Sequence, residues 1–350
     1  MNKPLLTYLV ASYNQEQFIR EAVEGALRQT YSPLEIIISD DCSKDRTFEI
    51  ATEMAGAYKG PHTVLLNRNP TNLGISAHCN RIMELTRGEL VIAAAGDDVS
   101  LPERTDVIFQ AWEQSGRRAT SMFSSYETIR GDGATEGVGG VRGNADDPRK
   151  FQPLEGDLFG FLSRQLPVVN GCTHGWSRRL FDYFGPLRSD LEDLALSFRS
   201  LSIGQLVYIH EPLVKYRRHG TNVSFFPGKD DPQALAFERR ESRLRWVDEK
   251  TVMAYDGIIA DINVLYAKSR IDAAERDRLQ AEARRIRNEY AVERSMMDGN
   301  IFQRFCTLAG AVARGNVRSA LKATPRALPR SVYRELYLFR ERRRAAARRN

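Results

Sequence analysis

The stretch LVIAAAGDDVSLPER, at residues 90–104, sets a run of apolar residues directly against two adjacent carboxylates. The run has the length of a strand buried inside a sheet, and Asp97 and Asp98 follow at the point where that strand would end. Because side chains alternate along a strand, we expect the two carboxylates to point in different directions. Taken alone, such a pair occurs more often in a turn than in a binding site.

The same arrangement occurs twice earlier in the chain, where LLTYLVASY at residues 5–13 and LEIIISDD at residues 34–41 also run from apolar to polar residues. Segments with helical periodicity separate these runs, which predicts parallel βαβ units. In open α/β sheets, ligands bind outside the carboxyl ends of the strands. The predicted ligand edge therefore carries Tyr13, Asp40, Asp41, Asp97 and Asp98.

Several function classes are excluded by the same sequence. SYNQEQF follows the first strand in place of a G-x-G-x-x-G fingerprint, and no G-x-x-x-x-G-K-[ST] occurs, so ordinary dehydrogenases and P-loop enzymes are excluded. The four cysteines form no C-x-x-C pair, so neither a zinc site nor a disulfide framework is expected. No apolar run approaches the ~20 residues of a membrane span, and the first residues lack a signal-peptide pattern, so we expect a cytoplasmic protein.

The net charge of +6 arises at the C-terminal end. Nine Arg and two Glu within residues 326–350 contribute +7, which leaves −1 for the first 325 residues. A body of nearly neutral charge does not favour nucleic-acid binding. At the C-terminal end, an apolar stripe among the arginines is typical of a helix at an anionic membrane surface, and a solvated tail or a helix against a partner subunit are the alternatives. The stripe consists of Val332, Tyr333, Leu336 and Tyr337.

The chain is predicted to divide near residue 227, where it becomes charged and helical. We expect an α/β domain over 1–227, with halves 1–104 and 105–227, and a helical, basic extension over 228–350. Within the second half, the glycine-rich stretch 131–147 predicts a long loop that acts as a lid or as a flap on the acceptor side.

Several motifs in order, among them SYNQEQF, SDDCSKDRT, NLGISAHCN, AAAGDDVSLPER, LEDLAL and YRRHGTNVS, resemble the family 2 glycosyltransferases of the GT-A fold over about residues 4–225. The resemblance implies a Rossmann-like mixed α/β sheet flanked by helices. It further implies inverting transfer of a sugar from a nucleotide sugar, with UDP or dTDP favoured, to a glycan or lipid-linked acceptor in bacterial surface polysaccharide synthesis. The open alternative is a non-catalytic sugar-nucleotide-binding component of an assembly complex.

On the donor side, the resemblance implies a role for each matching residue. Ala11, Tyr13 and Asp41 would hold the nucleoside; Asn72, Ser76 and Asn80 would contact nucleotide or ribose; Asp97 would contact ribose or water; Arg218 would pair with phosphate oxygens; and Asp98 would bind Mg²⁺ or Mn²⁺. The family's fuller D-x-D-D pattern has an acid where this chain has Ala95. We therefore expect His219 to supply the metal ligand that this substitution removes.

On the acceptor side, Asp193 in LEDLAL aligns with the general base of the family. Glu192 would orient the acceptor or cap the helix. Because both carboxylates fall in a first helical turn, we expect the helix macrodipole to lower the pKa of Asp193. His174 and Trp176 are expected to shape the acceptor pocket, with core packing an equal alternative for Trp176.

Overall fold

The computed structural model describes residues 3–140, 151–154, 157–163, 169, 171–220, 222 and 233–298, together with 302–304, 306, 307, 309, 332 and 334. The side chains of residues 233–240 and 243 lie outside this description. Most of the apolar stripe predicted at the C-terminal end also lies outside it.

The first hundred residues form the predicted βαβ units. Strands β1 (Leu6–Ser12), β2 (Leu34–Asp40), β3 (Thr63–Arg68) and β4 (Leu90–Ala95) are parallel and lie in the order β3-β2-β1-β4. Helices α1 (Ile19–Leu27), α2 (Thr47–Ala57) and α3 (Ile75–Met83) connect them. All four strands therefore end at one edge of the sheet, which is the edge that the sequence predicts to bind a ligand.

Both faces of these strands are covered by helices because alternate residues of each strand are apolar on both sides. On one face, Tyr8, Val10 and Ile36 pack with α1 and with α4 (Arg104–Gln114). On the other face, Leu9, Ile37 and Val91 pack with α3, α6 (Arg179–Phe184) and α7 (Glu192–Ile203). A parallel sheet buried on both faces is the expected result of such continuous apolar runs.

The second half of the domain extends the same sheet and makes it mixed. Beyond β4 come β9 (His174–Ser177), which is antiparallel to both neighbours, then β6 (Ala119–Arg130), β10 (Gln205–Arg218) and the short β5 (Val99–Ser100). Strand β8 (Phe151–Leu154) pairs with β10, and α5 (Leu158–Leu162) follows it. The helix-flanked mixed sheet expected from the sequence is confirmed.

The prediction of a single long loop over residues 131–147 is wrong in its first part. Strand β7 (Thr135–Gly139) pairs antiparallel with β6, so the chain makes a hairpin here. Gly139 fits in this strand because it has no side chain: a Cβ at this position would lie 2.4 Å from the ring of Tyr126 and collide with it. Residues 141–147 of the predicted loop lie outside the described residues.

The described chain divides into two compact units, one of Met1–Gly220 with Ala260–Leu279 and one of Thr221–Ile259 with Gln280–Asn350. The C-terminal part of the described chain contains the helices α8 (Gln233–Ala267) and α9 (Ala273–Asp298). In the second unit, Arg287 Nε lies 2.6 Å from Asp256 Oδ1. Within the described residues, no helix is long and apolar enough to cross a bilayer.

Candidate active site

The ends of β1, β2 and β4 meet at the ligand edge. The Asp41 N–H donates to the Ser12 carbonyl at 2.9 Å, and the Gly96 N–H donates to the Ala11 carbonyl at 2.9 Å. These hydrogen bonds hold the residue after each neighbouring strand close to the end of β1. Tyr13 lies at the same edge and is 41% exposed, so its ring is accessible for stacking.

Asp41 is buried at this edge and is strongly hydrogen-bonded. Its Oδ1 accepts from Asn69 Nδ2 at 2.8 Å and from the Leu73 N–H at 2.9 Å, and its Oδ2 accepts from the Gly74 N–H at 2.9 Å. A carboxylate has about four acceptor positions, so about one remains for a ligand. Asn72 belongs to the same loop and is exposed.

The two acids of the opening motif have different partners, but strand alternation is not the reason, because β4 ends at Ala95 and Asp97 lies in the turn that follows. Asp98 is buried, and its Oδ1 accepts from the Arg217 N–H at 2.8 Å. Burial first, and the neighbouring charge of Asp97 second, raise the pKa of Asp98 well above its usual range. Asp97 Oδ2 instead lies 2.9 Å from His219 Nε2, so the histidine contacts the first acid of the pair.

Arg217 and Arg218, adjacent in YRRH, have different environments. Arg217 is buried and donates to the Asp97 carbonyl at 3.0 Å and to Glu21 Oε2 at 2.8 Å. These contacts fix the segment that carries Asp97. Arg218 is exposed and lies 3.3 Å from Glu136 Oε2, so its expected contact with phosphate would have to compete with this ion pair.

The side chains at this edge carry the kinds of donor atoms that bind a hard divalent cation. Mg²⁺ and Mn²⁺ are held in proteins by one or two carboxylates, with phosphate oxygens and water completing the shell, and imidazole is an acceptable ligand for Mn²⁺. Asp97, Asp98 and His219 offer such donors. Among the described residues, no group of three or more His, Cys, Asp or Glu is arranged to hold a metal by itself. A bound cation would therefore need ligands from the donor.

Ser76 and Asn80 make structural contacts that the sequence interpretation did not anticipate. The Leu187 N–H donates to Asn80 Oδ1 at 2.7 Å, and Asn80 Nδ2 donates to the Leu187 carbonyl at 2.9 Å. Ser76 Oγ donates to the Ser189 carbonyl, and its N–H donates to Asp190 Oδ1 at 3.1 Å. Both side chains tie α3 to the segment before α7, so the expected contact with nucleotide or ribose is not favoured by their geometry.

Asp193 lies in the first turn of α7 and is partly buried. Its Oδ2 accepts from the Gly171 N–H at 3.0 Å, whereas its Oδ1 is buried and has no hydrogen-bond partner among the described residues. Burial raises the pKa of Asp193 to about 7, and the Gly171 hydrogen bond offsets part of that effect. The expectation that the helix macrodipole would lower this pKa is wrong, because the loss of solvent outweighs the dipole.

Cys172, in the turn Gly171–Thr173, lies close enough to the base candidate and to the acids of the opening motif for all of them to affect its thiol. Burial raises the pKa of the Cys172 thiol, and the carboxylates of Asp98, Asp193 and Asp97 raise it further. The charge of Asp193 and the charges of Asp97 and Asp98 therefore act on the same thiol. Burial and the charge of Asp193 likewise raise the pKa of Glu192 well above its usual range.

His174 and Trp176, expected at the acceptor pocket, lie on β9 inside the sheet. His174 is fully buried with Nε2 2.8 Å from Ser121 Oγ, and burial lowers its pKa to about 3. Trp176 is 3% exposed and packs edge-on against the His174 ring. Their burial favours the core-packing alternative.

The sequence does not predict an ion pair that holds α7 in place. Arg199 Nε lies 2.7 Å from Asp261 Oδ2, and both side chains are at most 2% exposed. Arg199 also donates to the Gly185 carbonyl at 2.7 Å. The partners are 62 residues apart, and Asp261 lies in a charged helical stretch where no motif distinguishes it. Gly171 was missed as well, since a glycine in a loop has no signal of its own.

Comparison with known families gives a match to the model described as glycosyl transferase family 2 over residues 7–136. An uncharacterised protein of Mycobacterium tuberculosis H37Rv is 41% identical over 223 residues, or 61% of this chain and 58% of that protein. An uncharacterised glycosyltransferase of Rickettsia prowazekii is 25% identical over 224 residues, or 63% of this chain and 66% of that protein. The chain thus spans less than two thirds of the length of these relatives.

Among solved structures, that of S. aureus TarS residues 1-349 in complex with UDP-GlcNAc aligns with 92% of this chain and 90% of its own. The TM-score is 0.50 and the sequence identity is 14%. A likeness at this identity concerns the fold, and it agrees with the GT-A arrangement expected from the resemblance.

Proposed function

We propose, from the match of residues 7–136 to the glycosyl transferase family 2 model, that the chain transfers a sugar from a nucleotide-sugar donor to an acceptor hydroxyl with inversion at the anomeric carbon. The observation that supports this most is Asp193. One of its carboxylate oxygens is held by Gly171, the other has no partner among the described residues, and its pKa is raised to about 7. A pKa near the working pH is the value that suits a general base.

In the proposed reaction, the Asp193 carboxylate accepts the proton of the acceptor hydroxyl. The hydroxyl oxygen forms a bond to the anomeric carbon while the bond from that carbon to the diphosphate breaks. The nucleoside diphosphate leaves with the electron pair. Inversion requires the base and the leaving group to lie on opposite sides of the sugar. We propose that the sugar binds beside the turn Gly171–Thr173, because its Cys172 is influenced by Asp193 as well as by Asp97 and Asp98.

On the donor side, we assign Tyr13 and Asp41 to the nucleobase. The remaining acceptor position of Asp41 would take the N3–H of uracil or thymine, which favours UDP- or dTDP-sugars. Ala11 and Asn72 would line the same region, and Arg218 would reach phosphate by leaving Glu136. Asp98 and His219 would hold Mg²⁺ or Mn²⁺, which when bound would neutralise charge on the leaving diphosphate. Asp97, whose Oδ2 lies 2.9 Å from His219 Nε2, would contact ribose or water.

The acceptor is proposed from the resemblance alone. A glycan or lipid-linked saccharide, a role in bacterial surface polysaccharide synthesis, and attachment of the C-terminal basic segment to an anionic membrane all remain proposals of this kind. Glu192 is proposed to orient the acceptor, since it lies beside the base at the start of α7.

The donor is tested by thermal unfolding of the full chain with UDP, dTDP and GDP, each with Mn²⁺ and with EDTA. A ligand at about a hundred times its Kd stabilises the folded state by about 2.7 kcal/mol, which is visible as a shift of a few degrees. We expect the largest shift with UDP or dTDP and Mn²⁺. Shifts that are absent for all three nucleotides would contradict a nucleotide-sugar donor.

The base is tested by Asp193→Asn. Loss of a general base lowers kcat by about 10²–10⁴-fold, and we expect the shift with nucleotide to persist because the donor edge is unchanged. Transfer is measured with a competent acceptor found by screening with the stabilising donor. Wild-type transfer by this variant would remove the assignment of Asp193. Nucleotide binding by the wild type, without transfer to any acceptor and without slow donor hydrolysis, would favour a non-catalytic binding component.

A further inference from the structure

The segment before β9 is attached to α7 at two points one helical turn apart. The Val169 N–H donates to Ser197 Oγ at 3.2 Å, and the Gly171 N–H donates to Asp193 Oδ2 at 3.0 Å. Ser197 Oγ in turn donates to the Asp193 carbonyl at 2.6 Å. Residues four apart on a helix share a face, so this segment lies along the face of α7 that carries Asp193.

Space at Gly171 is limited by the same carboxylate. A Cβ built at this position would lie 2.6 Å from Asp193 Oδ1 and 3.1 Å from Asp193 Oδ2. Both distances are shorter than ordinary van der Waals contact, so a side chain here would push against both oxygens. The contact atoms belong to the end of a side chain, and a rotation of that side chain would relieve the collision without displacing the backbone.

We propose that Gly171 is a positioning residue for the reaction: its N–H fixes one oxygen of Asp193, and its missing side chain leaves room for the other to face the acceptor hydroxyl. This inference rests on the proposed function, because it concerns the orientation of the proposed base. The unpartnered Oδ1 supports it, since a buried acceptor without a donor lacks the partner that an acceptor hydroxyl would supply.

We expect a substitution at Gly171 to lower activity without lowering stability. In Gly171→Ala, the Asp193 carboxylate rotates away from the new methyl group, so the fold is kept while the base leaves its position. A displacement of about 1 Å in a reacting group can cost 10²-fold in rate. We expect kcat to fall about 10- to 100-fold, with an unchanged shift on nucleotide binding and an unfolding temperature close to that of the wild type.

Gly204→Ala is the matched control. Its Cβ would lie 2.5 Å from the Thr120 side chain and 2.7 Å from the Arg118 carbonyl oxygen, so it collides with backbone far from the base. We expect this variant to unfold at a lower temperature and to keep its kcat where it is folded. If Gly171→Ala instead behaves like Gly204→Ala, with activity lost only in proportion to unfolding, the proposal is overturned.

Two further measurements keep the test decisive. Gly171→Ala should raise the apparent pKa of the pH–rate profile above that of the wild type, because it weakens the hydrogen bond that favours the ionised Asp193. If that variant does not fold, Ser197→Ala removes the second attachment, and we expect a threefold to tenfold lower kcat at unchanged nucleotide binding. An unchanged kcat in the folded variant would overturn the proposal.

Asp193→Asn in the same assay distinguishes the two levels of inference. If it transfers sugar like the wild type, the proposed function loses its base and the role of Gly171 fails with it. If it is inactive while Gly171→Ala is fully active, the role of Gly171 alone is wrong.

Discussion

Asp41 and Asp193 are carboxylates of the same domain with opposite environments. Asp41 accepts three hydrogen bonds, two of them from the backbone of the loop before α3. Asp193 accepts one, and its second oxygen has no partner among the described residues. Asp41 therefore stabilises the loop around it. Asp193 is held by one hydrogen bond, and its Oδ1 accepts none from the described residues.

The difference shows how the surroundings change the properties of one residue type. A carboxylate with several donors stabilises a loop and is a poor base, because hydrogen bonds favour its ionised form. A carboxylate that loses water without gaining donors holds its proton to a higher pH. Asp193 has the second kind of environment, because burial raises its pKa to about 7.

The largest expected contrast comes from the same substitution at both positions. In Asp41→Asn, an NH₂ group replaces an oxygen and faces an N–H donor, which we expect to cost about 1–3 kcal/mol of unfolding free energy and to weaken nucleotide binding. In Asp193→Asn, the oxygen toward Gly171 is kept and no hydrogen bond is lost, so stability at pH 8 should equal or exceed that of the wild type. Urea denaturation of the two variants decides this. Equal losses of unfolding free energy in the two variants would contradict the difference between Asp41 and Asp193.

The pH dependence of the wild type tests the environment of Asp193 directly. As a base it must be ionised, so kcat/KM should fall about tenfold for each pH unit below about 7. The free energy of unfolding should change in the opposite direction and decrease as the pH rises. Between about pH 4 and pH 7 the folded state keeps a proton that the unfolded state releases, so the wild type should lose stability relative to Asp193→Asn as the pH rises through this window.

A flat activity profile between pH 5 and pH 8, or a stability difference that does not vary with pH, would mean that Asp193 is ionised throughout. The measurement is a pH–rate profile for transfer, with urea denaturation of both proteins at pH 5 and pH 8. The control is Glu49→Gln, an exposed carboxylate whose pKa is lowered by its partner Arg46. It should leave the activity profile unchanged.

The smallest effect is expected at the exposed rim of the donor edge. Arg218→Ala removes an exposed ion pair with Glu136, which should change stability by less than about 1 kcal/mol. If Arg218 reaches the diphosphate, the KM for donor rises in this variant and kcat changes little. A KM equal to that of the wild type would remove Arg218 from the donor site. Glu136→Gln, which frees Arg218, is the matched control and should not raise the KM.

The strands and the ligand edge were predictable because local patterns determine them. Apolar runs that end in SYN, SDD and GDD became β1, β2 and β4, with their polar ends side by side. The different partners of Asp97 and Asp98 do not follow from strand alternation, because both residues lie beyond the end of β4 at Ala95. By contrast, the glycine-rich sequence of β7 predicts a loop, because its glycines hide the strand pattern. In the structure, the strand has room for Gly139 but not for a Cβ, which would lie 2.4 Å from the Tyr126 ring.

Long-range contacts could not be predicted in this way. Asn80 meets Leu187 across 107 residues, and nothing in NLGISAHCN distinguishes a side chain that binds a ligand from one that binds the backbone. The pKa of Asp193 was mispredicted for the same reason. The sequence shows a first helical turn, and with it the macrodipole, but it shows neither the burial that raises this pKa nor the Gly171 N–H, 22 residues away, that contacts the carboxylate.

The contacts of α3 have a consequence for the order of binding in the proposed reaction. Asp41 holds Leu73 and Gly74, α3 begins at the next residue, and Ser76 and Asn80 tie this helix to the segment that leads into α7. A donor that tightens the loop at Asp41 would also tighten the segment that precedes Asp193. We therefore expect a sequential mechanism in which the nucleotide sugar binds first and the acceptor second, with product inhibition by the nucleoside diphosphate competitive toward the donor.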